Sequence, residues 1–365
     1  MSLITAIATA TPDNKFTQSV IADFMLRKMT LHNGDSRKLK TIFKLSGISY
    51  RHSVLSDYGK SDNFEFYPED GNAIFPTTQN RLDTFRAQAL PLSLLAIEKL
   101  WTSATVSAKE ITHLIVVSCT GMYAPGLDID IVQHAALNTT VHRTAITFMG
   151  CYAAFNALKI GDAFCKSNPK AKVLIVCTEL CSIHFQRGAS EDNLIANALF
   201  ADGSAALIME SETTSKLQLE VEGFHSDLAP KGSNDMAWNI GDFGFEMKLS
   251  AYVPDIIQGG IAALTQTLLR SLSISFSDIK HFAIHPGGKK ILEAIEKELG
   301  ITKEQNRAAY HVLENYGNMS SPTVLFVLEE LINRLARNNK GENILSFAFG
   351  PGLTLESMIL KINSI

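Results

Sequence analysis

The chain has 365 residues, 46% hydrophobic and 19% charged, so it can bury a large core, and general disorder is excluded. Its formal net charge is -4 and its lysines and arginines are scattered, which leaves no basic stripe for neutralising phosphates and argues against a nucleic-acid partner. The five cysteines are odd in number and lack finger-like spacing, so they fit reduced thiols in the cytoplasm better than a disulfide framework or a zinc site.

In chain order, Met1–Thr11 is apolar and small but has no basic leader, and it reads as a first buried strand. No later run approaches the roughly 18 apolar residues of a membrane span. His113–Gly121 is a β-branched strand opening into a small-residue loop, and His281–Gly288 repeats it. Ala145–Cys151 runs into an alanine-rich helical stretch, Tyr152–Phe164; His311–Asn318 running into Met319–Leu331 reads as its copy, strand followed by helix. Ala171–Thr178 is a third apolar strand, matched by Gly341–Ala348. The displacement is about 170 residues each time, the signature of an internal duplication. Continuous apolar strands alternating with helices predict an α/β fold of two similar halves, 1–215 and 216–365. Cys151, His285 and Asn318 then fall at predicted strand ends, where such sheets bind ligands.

Cys151 stands between Gly150 and a helix, where the macrodipole and free amides lower a thiol pKa and can receive an oxyanion. His285, before Pro286-Gly287-Gly288, faces a loop opening. It can hold Cys151 as an ion pair or join Asn318 in hydrogen bonding a thioester carbonyl. A buried structural cysteine and a satisfied structural histidine are the bland alternatives. The loop Ala348–Thr354 contains no ionisable side chain to deprotonate a substrate carbon. The carbanion is therefore expected from loss of carbon dioxide from a malonyl thioester.

The chain resembles the type III polyketide synthases, the group containing plant chalcone and stilbene synthases. The resemblance rests on Gly150-Cys151-Tyr152-Ala153, Ile284-His285-Pro286-Gly287-Gly288, Tyr316-Gly317-Asn318-Met319-Ser320-Ser321, Leu199-Phe200-Ala201-Asp202-Gly203 and Phe349-Gly350-Pro351-Gly352. It implies a homodimer of the thiolase fold, two halves with mixed sheets in αβαβα layers. Such an enzyme loads an acyl starter from coenzyme A onto Cys151, extends it with malonyl-CoA and releases a cyclised product. The resemblance implies no metal, no cofactor and no carrier-protein domain. Carried over by position, Phe200 resembles a gatekeeper between CoA tunnel and cavity. Thr120, Cys119, Cys181, His184 and Ser320 fall among cavity residues, as do Gly350, Pro351 and Gly352. Lys38, Lys40, Lys44 and Arg51 are the candidates for CoA phosphates.

Three positions depart from the plant pattern. Met247 stands for a second phenylalanine, Trp238 lies near a glycine position, and His184 replaces a smaller residue. Ala124 stands where plant enzymes reach a methionine into the partner's cavity. These departures argue against a chalcone-type starter, and Glu179–Phe185 resembles members taking fatty acyl starters, so the expected product is an alkylpyrone or alkylresorcinol. The rival readings are a ketoacyl synthase III making one condensation, which usually carries His-Gln-Ala-Asn in place of the segment starting at His285, and a catalytically silent thiolase-fold binding protein. A papain-like protease shares the order Cys, His, Asn but not the local signature.

Overall fold

Side-chain alternation along the central strands decides the architecture, seen in a computed structural model that describes all residues except 33, 70–72, 230–234 and 251. The strands are β1 (Leu3–Ala10), β2 (Asn14–Thr17), β3 (Tyr50–Ser53), β4 (His113–Ser118), β5 (His142–Thr147), β6 (Lys172–Leu180), β7 (Asp202–Glu210), β8 (Gln218–Leu228), β9 (Met236–Gly241), β10 (Gly244–Leu249), β11 (Ile279–Ile284), β12 (Asn343–Gly350) and β13 (Thr354–Ser364). On β6, Val173, Ile175 and Cys177 enter one hydrophobic cluster while Leu174 and Val176 enter the other. A strand with no polar face has to be covered on both sides.

Nine strands form one mixed sheet in the order β11-β12-β13-β8-β1-β7-β6-β4-β5. It divides into β1-β7-β6-β4-β5 and β8-β13-β12-β11. Pairing agrees in the two parts: β4 lies parallel to β6 and β11 to β12, while β7 and β13 run antiparallel to their neighbours. The parts are joined by a short antiparallel contact, Leu3 opposite Glu220 and Ile4 opposite Leu219. This is the mixed α/β thiolase fold that the sequence predicts.

One predicted element is different. The stretch 311–316 was expected as a strand, and it belongs to the helix Arg307–Tyr316. Ala308, Ala309, Val312 and Leu313 are its buried residues, a spacing that makes one helical face and no strand face. Among the described residues, the second half-sheet therefore has no counterpart of β5. Asn318 follows a helix rather than a strand.

Two helices carry the site between the halves. Ala153–Ser167 lies on β4 to β7, and its Lys159 forms an ion pair of 2.5 Å with Glu356 on β13. Thr323–Ile332 contacts β1 and β7 of one half and β11 of the other; it is apolar nearly all round, as an enclosed helix must be. The outer faces are covered by Thr78–Trp101 and Val253–Ser271. Among the described residues no helix is long and apolar enough to cross a membrane.

Candidate active site

The turn that carries Cys151 is made possible by a left-handed glycine. After β5 the chain passes Phe148 at φ 62° and Gly150 at φ 84°. A Cβ at Gly150 would come 2.3 Å from Cδ of Pro351. Only glycine allows both the conformation and this approach. A Cβ at Gly350 would meet the Tyr152 ring at 2.5 Å and the Cys151 nitrogen at 3.3 Å, so the second loop packs directly on the turn that carries Cys151. Cys119 Sγ accepts from Gly150 N at 2.9 Å.

Asn318 arrives from the other half. Its backbone N donates to Leu199 O and its carbonyl accepts from Ala201 N, both at 2.9 Å, in a parallel bridge beside Phe200. Its side-chain Oδ1 accepts from Ser320 N at 2.8 Å, and its Nδ2 donates to Gly287 O at 3.4 Å. Cys151 Sγ points at that Oδ1 from 3.9 Å. His285 follows β11, its backbone N donating to Phe347 O at 2.9 Å. Its two ring nitrogens are buried and have no hydrogen-bond partner among the described residues. A satisfied structural histidine would not leave both unpaired.

The three side chains line one cavity with Thr120, Cys119, Cys181 and His184. Phe200, Trp238, Met247, Ser320 and Pro351 complete much of the wall. Its unfilled space is only about 60 Å³. Gly352, at φ 74°, turns the corner beyond Pro351 and lies outside this wall. One side is rigid by hydrogen bonding. His184 Nε2 donates to Thr120 O at 2.6 Å, its Nδ1 accepts from Phe245 N at 3.0 Å, and its ring stacks on Phe245. Trp238 Nε1 donates to Cys119 O at 2.8 Å and faces Met247 across the β9–β10 hairpin.

Electrostatics overturn one expectation. The helix N-terminus was expected to lower the Cys151 thiol, but burial pushes it up to about 12, against smaller opposing hydrogen bonds from Ser320 and Asn318. Burial likewise pushes His285 down to about 3. Desolvation dominates because the sulfur lies away from water, and Cys151 precedes the N-cap Tyr152 of the helix. The closed site therefore holds a neutral thiol and a neutral imidazole.

The cations expected at the tunnel mouth divide. Lys38 lines a second pocket, of about 250 Å³, together with Lys289 and Lys290; the pocket shares Leu249, Gly287 and Ile291 with the Cys151 cavity. Lys40 and Lys44 are exposed on the same helix but outside that pocket. Arg51 is not a surface cation at all: it is 3% exposed and lines the Cys151 cavity. Lys289 and Lys290, at the start of the helix Lys289–Leu299, were missed because nothing in their spacing marks them.

Also missed was Glu179. It is fully buried and accepts from Cys119 N at 2.9 Å, Thr120 Oγ1 at 2.7 Å and Ser321 Oγ at 2.5 Å, tying the cavity wall to the chain that carries Asn318. A single acid inside the apolar run Val173–Cys181 was the available signal. Among the described residues no group of three or more His, Cys, Asp or Glu is arranged to hold a metal ion.

Residues 1–213 match the N-terminal domain of chalcone and stilbene synthases, and residues 220–364 match the C-terminal domain. The chain belongs to the chalcone and stilbene synthase family. It is 31% identical to the alpha-pyrone synthesis polyketide synthase-like Pks18 of Mycobacterium tuberculosis, over 99% of this chain and 91% of that protein. It is 32% identical to probable polyketide synthase 1 of Dictyostelium discoideum, over 99% of this chain but 11% of that much longer protein. In structure it is similar to PKS-I of the brown alga Ectocarpus siliculosus, with a TM-score of 0.91 and 29% identity over 99% and 98% of the two chains. The C-terminal type III polyketide synthase domain of Steely1 from Dictyostelium gives a TM-score of 0.89 and 31% identity over 99% of both chains. As a member of this family the chain is a type III polyketide synthase, an acyltransferase that condenses CoA thioesters with decarboxylation.

Proposed function

We propose that Cys151 carries the growing acyl chain and that His285 and Asn318 bind the thioester carbonyl of malonyl-CoA. The observation that carries this reading is the approach of Cys151 Sγ to Asn318 Oδ1, 3.9 Å, in a cavity where His285 keeps both ring nitrogens free. His285 takes the thiol proton as Cys151 attacks the starter thioester, which forms the ion pair during the reaction instead of before it. Coenzyme A leaves as its thiol. Malonyl-CoA then loses carbon dioxide, and its enolate oxygen accepts hydrogen bonds from the Asn318 amide and the His285 ring. Attack of that enolate on the Cys151 thioester extends the chain by two carbons and frees the sulfur. Phe200, bridged to Asn318 and lining the Cys151 cavity, serves as the gate, and the CoA phosphates are held by Lys38, Lys289 and Lys290 of the adjoining pocket.

The proposed starter is a fatty acyl group and the proposed product an alkylpyrone. Support comes from Trp238, His184 and Met247, the positions departing from the plant pattern, all of which line the Cys151 cavity. The name of the mycobacterial relative points the same way. We further assign the halves to 1–215 and 216–365, in the gap between β7 and β8. A cytoplasmic homodimer needing no cofactor is the proposed working form. All five cysteines are unpaired, and β5 is an edge strand bonded on one side only, open to a second copy.

The test is a product profile from malonyl-CoA with a ladder of acyl-CoA starters, alongside intact mass. A long-chain adduct absent in Cys151→Ala, followed by pyrone products, is expected. A linear product of one extension would overturn the polyketide reading.

A further inference from the structure

Arg51 enters the core from β3 and ends at the C-terminus of the helix Glu191–Leu199. The last carbonyls of a helix have no partner within it. Here each is claimed from outside. Arg51 Nη1 donates to Asn197 O at 2.9 Å and to Phe200 O at 2.7 Å. Gln18 Nε2 donates to Ala198 O at 2.7 Å, and Gln18 Oε1 in turn accepts from Arg51 Nε at 2.9 Å. The remaining one, Leu199 O, is taken by the backbone N of Asn318.

Asn318 is thus fastened to a ledge, 197–201, that Arg51 and Gln18 hold in place. The contact continues through Gly317, where a Cβ would come 2.9 Å from Leu199 O and 3.0 Å from Cγ of Arg51. The residue before the amide therefore rests on the arginine stem itself. A guanidinium at a helix C-terminus also complements the helix dipole. Burial pushes Arg51 down to about 10, so the charge persists at neutral pH. Lysine cannot reproduce this arrangement, because its single ammonium lacks the planar fork that reaches Gln18 and two carbonyls together.

We propose that Arg51 is a positioning residue for condensation: through the Asn197–Phe200 ledge it sets the Asn318 amide relative to Cys151. This inference rests on the reading of Asn318 as the amide that binds the malonyl thioester. A displacement of about 1 Å at such a group costs roughly a hundredfold in rate. Loading of Cys151 does not use the Asn318 amide, so it is spared.

The experiment separates the two half-reactions in Arg51→Met, Arg51→Lys and Gln18→Leu. Loading is followed as acyl adduct by intact mass, and malonyl-CoA decarboxylation as carbon dioxide released. The expected result is loading within about threefold of the parent and decarboxylation slowed at least about thirtyfold in the arginine variants, with Gln18→Leu between. In Arg51→Met/Asn318→Ala the decarboxylation loss should not exceed that of Asn318→Ala alone, since both act on one group. Equal slowing of both half-reactions, or additive losses in the double variant, overturns the proposal. If Arg51→Met does not fold, shown by its melting curve, Gln18→Leu and Arg51→Lys decide on the same criteria. If Asn318→Ala alone leaves decarboxylation intact, the reading of Asn318 fails, a result distinct from an Asn318-dependent enzyme indifferent to Arg51.

Discussion

Cys151 and Asn318, 167 residues apart in sequence, meet with sulfur and amide oxygen 3.9 Å apart. Each follows a positive-φ glycine, Gly150 at 84° and Gly317 at 72°, so the two halves present their key residues by similar turns. The contact predicts a division of labour. Cys151→Ala should abolish the acyl adduct. Asn318→Ala should keep the adduct yet lose about a hundred- to a thousandfold in condensation, the usual effect of removing one such donor. Intact mass and product formation, measured together, check both.

The neutral state of the site gives a pH signature. With the Cys151 thiol at about 12 in the free enzyme, alkylation by iodoacetamide should rise about tenfold per unit from pH 7 to 10, without a plateau. A plateau below pH 7 would reveal a preformed thiolate and overturn the assignment of a neutral resting pair.

Stability should also depend on pH. His184 and His285 are both pushed from 6.5 down to about 3 by burial, so the unfolded chain binds more protons than the folded one between those values. Stability is fully present above pH 6.5 and falls as the pH drops towards 3. A lower Tm at pH 5 than at pH 7 is expected, with the drop reduced in His285→Gln. An unchanged difference in that variant would count against a neutral buried His285.

Gly150→Ala is expected to harm both folding and catalysis. A side chain in the left-handed region costs about 1–2 kcal/mol, before any cost of moving Pro351 away from the new methyl. Thermal melting should register the loss, and product formation should fall further than loss of folded protein explains. Gly300→Ala is the control, because φ is 66° there and no atom lies within 4 Å of the added Cβ. It should lower Tm without a separate effect on turnover.

At the mouth, Lys289→Ala/Lys290→Ala should raise KM for an acyl-CoA about tenfold with little change in kcat. The same variant should treat an acyl-N-acetylcysteamine thioester, which has no phosphates, like the parent enzyme. High salt should narrow the difference for the CoA substrate. A KM change of equal size for both substrates would remove the lysines from phosphate recognition.

The composition, the buried strands and the candidates Cys151, His285 and Asn318, which the fold brings to one cavity, were legible from residue types, because β-branched runs and Gly-flanked residues are local signals. The helix Arg307–Tyr316 was read as a strand because His311–Asn318 was matched to Ala145–Cys151 as its repeat; its helical period shows only when Ala308 and Ala309 are counted with Val312 and Leu313. Glu179 was passed over because a single acid in an apolar strand announces burial but not its partners.

The sequence by itself determined the α/β framework and the family, and it singled out Cys151, His285 and Asn318 as candidates. Tertiary structure alone decided that Lys38, Lys289 and Lys290 line one pocket and that Arg51 lies inside. It also decided that Cys151 is buried, which raises its thiol pKa. Burial and approach depend on how segments far apart in the chain pack together, and desolvation acts on a group only once that packing has removed its water.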